Sequence, residues 1–546
     1  MKIIIHLLPL LLLPLLSIGQ NSFDYTISRP YPVIDGQTKL YFSDITTEKA
    51  LSIKIDSKDV YLQNFDTKNM KETGRKKYSD LLQDNEFEHA TWVQDRLYFF
   101  YSHLDRTKEN KQIIALQIDF DKCQFVDNGN VLFSIKGKKA DFSTALFGKS
   151  TIETAGSFSF NLSRDKSKLL IQYRKAPEVK IEKQNYDVLG MYVFDKEMNK
   201  LAGNEIKMPY TEKKMDNVDY AVDSEGTPYM LAKVYKDGST KDSRGSGDNK
   251  KANYIMELFK VDIPNKSIKT TKIELTNNFI KDSWLYEGNE NTIYCTGLYN
   301  KMIGGQIIGG NTKEDNADGV FLFRLDKEGG IIDKNFYEIP LEILNQYTRS
   351  GGKKVDEKKD KDDKSEFAYL ELMEVYNQSD GSLIILGEQR FLVESYSSRG
   401  QIRTTVYRND ILMTKIDTTG NLVWMKKLPK RQAGSRFGNS LSFKRLTING
   451  IHYLFFIDND RNLKLSLNER PARHIEGLGG LLTAYCINDQ TGEVQKRLIL
   501  NPAKLKNGME VYQFGIDRIL KISNAAFFIE FYKKGKEDVF LKVDVK

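Results

Sequence analysis

The sequence predicts an all-β repeat fold, and three observations carry that prediction. A short alternating strand closed by an Asp- or Asn-led turn recurs along the chain. A strongly apolar strand precedes most copies. The composition, with 28 Tyr and 30 Phe against only 12 Pro, suits strands better than disorder. The clearest copy runs Met413-Thr414-Lys415-Ile416-Asp417, then the turn Thr418-Thr419-Gly420-Asn421, then Leu422-Val423-Trp424.

Copies of the alternating strand lie at 60–66, 114–119, 190–195, 257–262, 321–326, 412–417, 483–488 and 540–544. Their spacing averages roughly 70 residues, longer than the ~40–50 of familiar blade-type repeats. The excess falls in loops. The Asp or Asn at each turn has a local reason: its side chain accepts from backbone two residues on. Gly329, Gly420 and Gly492 supply positive φ. The preceding strands, such as Leu97-Tyr98-Phe99-Phe100, Leu383-Ile384-Ile385-Leu386 and Tyr453-Leu454-Phe455-Phe456, are continuously apolar, as strands packed on both faces are.

The last copy, 540–544, reaches its turn and stops. A sheet lacking one strand exposes unpaired backbone groups, and closed folds remove such edges. The strand that completes it is expected from Phe23-Asp24-Tyr25-Thr26-Ile27. The reading is therefore a β-propeller of eight blades, each of four antiparallel strands, closed by the N- and C-terminal strands. Seven blades is the alternative, because the first repeat is weakly marked.

Residues 1–19 read as a signal peptide. Lys2 forms a positive start, the stretch from Ile3 to Leu16 is apolar, and Ser17-Ile18-Gly19 frames a cleavage site before Gln20. An uncleaved membrane anchor is the alternative. Residues 20–546 then form one exported domain in the periplasm, on the cell surface or outside the cell. No later stretch is long and apolar enough to span a bilayer. Net charge is +8 for the whole chain, and its charges are interspersed. That pattern describes a solvated surface and excludes a nucleic-acid binder built on a concentrated basic stripe. Cys123, Cys295 and Cys486 show no CxxC spacing and read as small apolar filler.

Four long loops interrupt the repeats, at 236–251, 303–319, 349–366 and 393–408. The first and third are polar or charged and read as mobile. Those at 236–251, 303–319 and 393–408 each follow an apolar second strand, which places them on one rim.

Few motifs carry chemistry. The turn Thr491-Gly492 and the Thr419-Gly420 turn with Trp424 resemble the docking motif of quinoprotein dehydrogenases, which are eight-bladed propellers. Lys496 stands where that motif places Trp, so the resemblance supports architecture and no quinone; no cofactor is expected. Asp458, Asp460, Asn462 and Glu469 have EF-hand-like spacing, but Leu463 stands where the loop needs Gly, so a polar hairpin is the favoured reading and a metal site the lesser one. His89, beside Glu86 and Glu88, and His474, flanked by Arg473 and Glu476, are the candidate catalytic residues. Propeller polysaccharide lyases pair His, Tyr and Arg at such a site. His103 and His452 abut apolar strands and read as core or rim residues.

Taken whole, the chain resembles divergent secreted bacterial β-propeller repeat proteins over nearly all its mature length. The resemblance implies a rigid disc whose variable rim loops bind partners or glycans. The expected function is an exported, non-enzymatic binding or scaffold protein that presents its rim loops to a protein or acidic glycan. The alternative is a lyase-like, glycan-active enzyme with a His/Tyr/Arg site in the central cleft.

Overall fold

The computed structural model describes residues 23–545, apart from 37, 106, 108–109, 127, 137–157, 176–184, 240, 245–250, 276–277, 302–315, 348–366, 397–401, 436–439, 506–507 and 534. The expected signal segment 1–19, the loop expected at 349–366 and most of 303–319 lie outside the described residues.

The protein is a divergent β-propeller-like chain. Among the described residues, eight sheets contain four or more strands. Sheet 1 covers 38–78, sheet 2 85–136, sheet 3 159–211 and sheet 4 215–273. Sheet 5 covers 279–338, sheet 6 370–434 with an added strand at 474–475, and sheet 7 444–500. Sheet 8 joins 511–544 to the N-terminal strand Asp24–Ile27.

All eight alternating copies lie on third strands, including Asp59–Asp66, Asn110–Asp119, Leu481–Asn488 and Glu537–Asp544. The turn chemistry is as expected. Asp66 accepts from the Lys68 amide at 2.8 Å, Asp417 from Thr419 at 2.9 Å and Asn488 from Gln490 at 3.0 Å. Gly329 and Gly420 both sit at φ +87°, a conformation that strains any side-chain-bearing residue.

Because both faces of the second and third strands are apolar, each sheet packs against two neighbours. Ile53 of sheet 1 shares a cluster with Phe99 of sheet 2, and Phe133 of sheet 2 with Tyr173 of sheet 3. The series continues through Met191 and Met230, Leu258 and Phe321, Leu322 and Ile385, and Met413 and Phe456. Phe455 of sheet 7 meets Phe527 of sheet 8 at 4.7 Å between ring centroids. Phe540 of sheet 8 meets Phe65 of sheet 1 at 4.6 Å. Each such buried ring is worth roughly 1.5–3 kcal/mol of transfer free energy. Cys123, Cys295 and Cys486 belong to these clusters as free, buried thiols, and burial pushes each up to about 12.

The two ends of the chain meet as the last repeat requires. Asp24, Tyr25, Thr26 and Ile27 pair antiparallel with Asp544, Val543, Lys542 and Leu541. The Ser28 amide donates to the Phe540 carbonyl, and the Phe540 amide to Ser28 Oγ, both at 2.9 Å. Sheets 8 and 1 also share a buried ionic group. Lys54 Nζ, with no side-chain exposure, lies 2.6 Å from Glu530 Oε1 and 3.3 Å from Asp538 Oδ2. Tyr31 donates to Glu530 at 2.7 Å, and Tyr41 donates to its other oxygen.

Two loop expectations are corrected. The segment 393–408 is largely strand: Leu383–Tyr396 and Ile402–Ile416 form one long hairpin, paired out to Tyr396↔Ile402. The described part of 236–251 is tethered. Asn253 Nδ2 donates to Asp237 at 2.8 Å and to the Lys241 carbonyl at 3.0 Å, and Lys233 pairs with Asp242 at 2.8 Å. A two-stranded ribbon, Ser243–Arg244 with Lys251–Ala252, adds to it. The cause is the same in both: cross-strand hydrogen bonding holds segments whose composition is polar.

Candidate functional site

The long hairpin of sheet 6 is the most distinctive surface element. Its inner half is core: Leu383 to Leu386 are buried. Past Glu388 the strands rise beyond that core, and Leu392, Val393, Tyr396 and Ile402 become 56%, 42%, 72% and 59% exposed. Leu392, Tyr396 and Ile402 share one face of the paired hairpin, and Val393 lies on the other.

The foot of the hairpin is built from distant segments. Gln432–Gly434 pairs with the hairpin strand at Arg408, Tyr407 and Val406. His474–Ile475 then adds in parallel, with Gln432 beside His474 and Ala433 beside Ile475. A buried ion pair supports this corner. Lys430 Nζ lies 2.8 Å from Glu388 Oε1, and neither side chain is exposed. Lys430 also donates to the Arg408 carbonyl at 2.9 Å and to Gln432 Oε1 at 3.0 Å. Ser442 Oγ donates to Glu388 at 2.9 Å. Burial lowers the Lys430 pKa, and the Glu388 charge opposes that shift.

Two arginines meet at the same foot, and Arg470 lies in the loop just before Arg473. Arg431 and Arg473 directly precede the two parallel-paired strands, and the His474 amide donates to the Arg431 carbonyl at 2.9 Å. Arg473 lies over the Tyr407 ring at 5.0 Å. Tyr407 stacks on Phe391 at 4.8 Å with 10° between planes, and Phe391 lies 5.1 Å from Tyr369. Arg431 is held below the usual guanidinium range, by burial first and then by the charges of Arg473 and Arg470. Among the described residues, no carboxylate lies within ion-pairing distance of Arg431, Arg470 or Arg473. Arg473 Nε is buried with no hydrogen-bond partner.

The residues singled out from sequence fall in separate places. His474 is buried at the hairpin foot; burial lowers its pKa against the pull of Asp458 and Glu476. His89 lies in sheet 2, stacked on Phe160 at 4.8 Å, and burial lowers its pKa to about 4. The two histidines thus sit on different sheets, each in its own packing. His452 is buried between Thr447 at 3.0 Å and Asp489 at 2.8 Å, and His103 Nδ1 lies 2.8 Å from Asn85; both are packed, as expected.

Of the EF-hand-like set, Asp458 is buried and pairs with Lys496 at 2.5 Å, while its other oxygen accepts from Asn462 at 2.7 Å. Asn462 Oδ1 accepts from the Ala472 amide at 2.7 Å. Asp460 sits in a short 3-10 turn capped by Asn459, and Glu469 accepts from Ser466 at 2.9 Å. These oxygens are used to shape the loop that delivers Arg470 and Arg473. Among the described residues, no group of three metal-ligating side chains is present. No helix among them is long and apolar enough to cross a membrane.

No protein-family model matches the sequence, and no curated protein matches it. The solved structures similar to it are mainly β-propellers. The Dos1 propeller is 9% identical, covering 95% of this chain and 95% of its own, with a TM-score of 0.39. The open-velcro β-propeller domain of the Trilobed protease from Pyrococcus furiosus is 11% identical, covering 88% of this chain and 96% of its own, with a TM-score of 0.33. Oligogalacturonate lyase from Vibrio parahaemolyticus is 10% identical, covering 96% and 99%, with a TM-score of 0.34.

Proposed function

We propose that this chain is an exported, non-enzymatic binding or scaffold protein: a ring of eight blades closed by its terminal strands. The sheet 6 hairpin is its contact element for a protein or acidic glycan. The ring is supported by the eight sheets, by the core clusters that link each to the next, and by the Asp24–Asp544 pairing. The binding role rests on one observation. The hairpin carries Leu392, Val393, Tyr396 and Ile402 out into solvent, and a rigid scaffold puts recognition on such projections.

The test compares the mature chain with a variant carrying Leu392→Ser, Val393→Ser, Tyr396→Ser and Ile402→Ser. Both are screened against purified envelope proteins and a glycan array. The expected result is a ligand retained by the wild type and lost by the variant, with an unchanged thermal midpoint. Turnover of a polysaccharide that disappears on His89→Gln or His474→Gln, with the serine variant fully active, would replace this reading by the glycan-active enzyme.

A further inference from the structure

The arginines at the hairpin foot have a geometry that ordinary surface charge does not explain. Arg431 and Arg473 precede parallel-paired strands, so their backbones lie side by side, about 4.8 Å apart as strand neighbours are. Like charges so placed repel; the Asp410 charge offsets them in part, and no described carboxylate forms an ion pair with them. Asp410 is buried and accepts from the Lys430 amide at 3.1 Å. Glu476 accepts from the Ser435 amide at 3.0 Å and Ser440 Oγ at 2.9 Å. The charge is left for something outside the chain.

We propose that Arg431, Arg470 and Arg473 form an oxyanion site for an acidic polysaccharide, with Arg473 lying over the Tyr407 ring and taking a carboxylate or sulfate. The assignment rests on the binding role above and names its ligand. A guanidinium stacked on a ring is fixed in one plane, so little freedom is lost when its N–H fork meets two oxygens.

Three features choose among polyanions. The rings of Tyr407 and Phe391 face each other and Arg473 covers Tyr407, so the Tyr407 ring beside the arginines is closed to an unpaired base; single-stranded nucleic acid depends on free ring faces. Same-face side chains of an extended peptide recur at about 6.6–6.8 Å, wider than the Arg431–Arg473 backbone separation. That separation is close to the advance of one sugar unit along an extended acidic glycan. Successive units can therefore offer one anion to each arginine, and repetition along the polymer multiplies a weak single contact.

The experiment uses the full mature chain with polygalacturonate, chondroitin sulfate, neutral dextran, polyglutamate and oligo-dT as probes, by calorimetry at low and high salt. Polygalacturonate or chondroitin sulfate should bind, dextran should not, and affinity should fall as salt rises. R431Q combined with R473Q should weaken binding at least tenfold. R473K should lose nearly as much as R473Q, because an ammonium cannot reproduce the planar fork. R470Q, an exposed change in the loop, repeats the test if the double variant is unstable. The four-serine hairpin variant should bind the anionic glycan more weakly while keeping its salt dependence, because the hairpin supplies contact area and the arginines supply the charge. The assignment is overturned if no acidic polysaccharide binds, if the arginine variants bind as the wild type does, or if polyglutamate or oligo-dT binds more tightly. A protein ligand captured through the hairpin without any polyanion binding would overturn this assignment and leave the binding role standing.

Discussion

Trp424 of sheet 6 lies directly on Gly492 of sheet 7. A Cβ built on Gly492 would stand 2.6 Å from the Trp424 Cγ, and the indole Nε1 donates to the Asp489 carbonyl at 2.9 Å. The tryptophan of one turn motif thus docks on the glycine of the next. Similar bonds run along neighbouring sheets: Thr271 Oγ1 donates to the Gly329 carbonyl at 2.8 Å, and Arg324 to the Thr418 carbonyl at 2.8 Å. Gly492→Ala should therefore destabilise the protein by about 1–3 kcal/mol, through the clash and through its φ of +66°. Chemical denaturation reads the loss; a neutral result would mean that Trp424 simply moves aside.

Lys54→Met should cost about 3–5 kcal/mol, because it leaves Glu530 and Asp538 as buried carboxylates without their ammonium. Restoring stability by adding Glu530→Gln and Asp538→Asn would show that the loss is electrostatic. A single Lys54→Met variant as stable as the wild type would contradict the buried ion group.

Deleting residues 23–27 should lower the thermal midpoint and promote association. The strand Glu537–Asp544 would lose the partner it pairs with between Asp544 and Leu541 and would become an open edge. Size-exclusion chromatography with differential scanning fluorimetry checks both effects, and an unaltered midpoint would argue that this pairing adds nothing to the fold.

Stability should decline between about pH 6.5 and pH 4 because of His89. Its folded pKa is lowered to about 4 from an ordinary 6.5. The unfolded chain takes up a proton in that window and the folded protein does not, so the stability is full above the upper limit and is lost as pH falls. The effect is at most about 3.4 kcal/mol. Urea titrations at pH 7.5 and 4.5 should show a larger acid loss for the wild type than for His89→Gln.

The parts of this fold that were legible in sequence are those with a local cause. An alternating strand and an Asp or Asn turn need only their own residues, and every such copy fell on a third strand. The first repeat was weakly marked for a physical reason. Its second strand, Lys49–Asp56, carries Ser52 and Lys54 into the core, and the partners that make Lys54 tolerable there are nearly five hundred residues away. The hairpin at 393–408 read as a loop because it is rich in Ser and Arg and, among its described residues, only Val406 is buried, too little to impose a pattern. The arginine site was missed because its two strands, Gln432–Gly434 and His474–Ile475, are too short to show periodicity. Only their parallel pairing brings Arg431 to Arg473. His474 was singled out for its charged flanks; its ring is buried, while Arg473 lies over Tyr407 and Glu476 accepts from Ser435 and Ser440.

The antiparallel register of the terminal strands has a mechanical consequence. Because Asp24 lies opposite Asp544, the chain enters and leaves sheet 8 at the same point. A tension applied between these residues would fall on the outermost hydrogen bonds first and open the seam like a zip, one rung after another. The same tension applied between Asp24 and the far end of the partner strand, at Glu537, would load the rungs together in shear. A molecule tethered through both terminal strands would therefore yield at this pairing first, before the core clusters between the sheets carry any load.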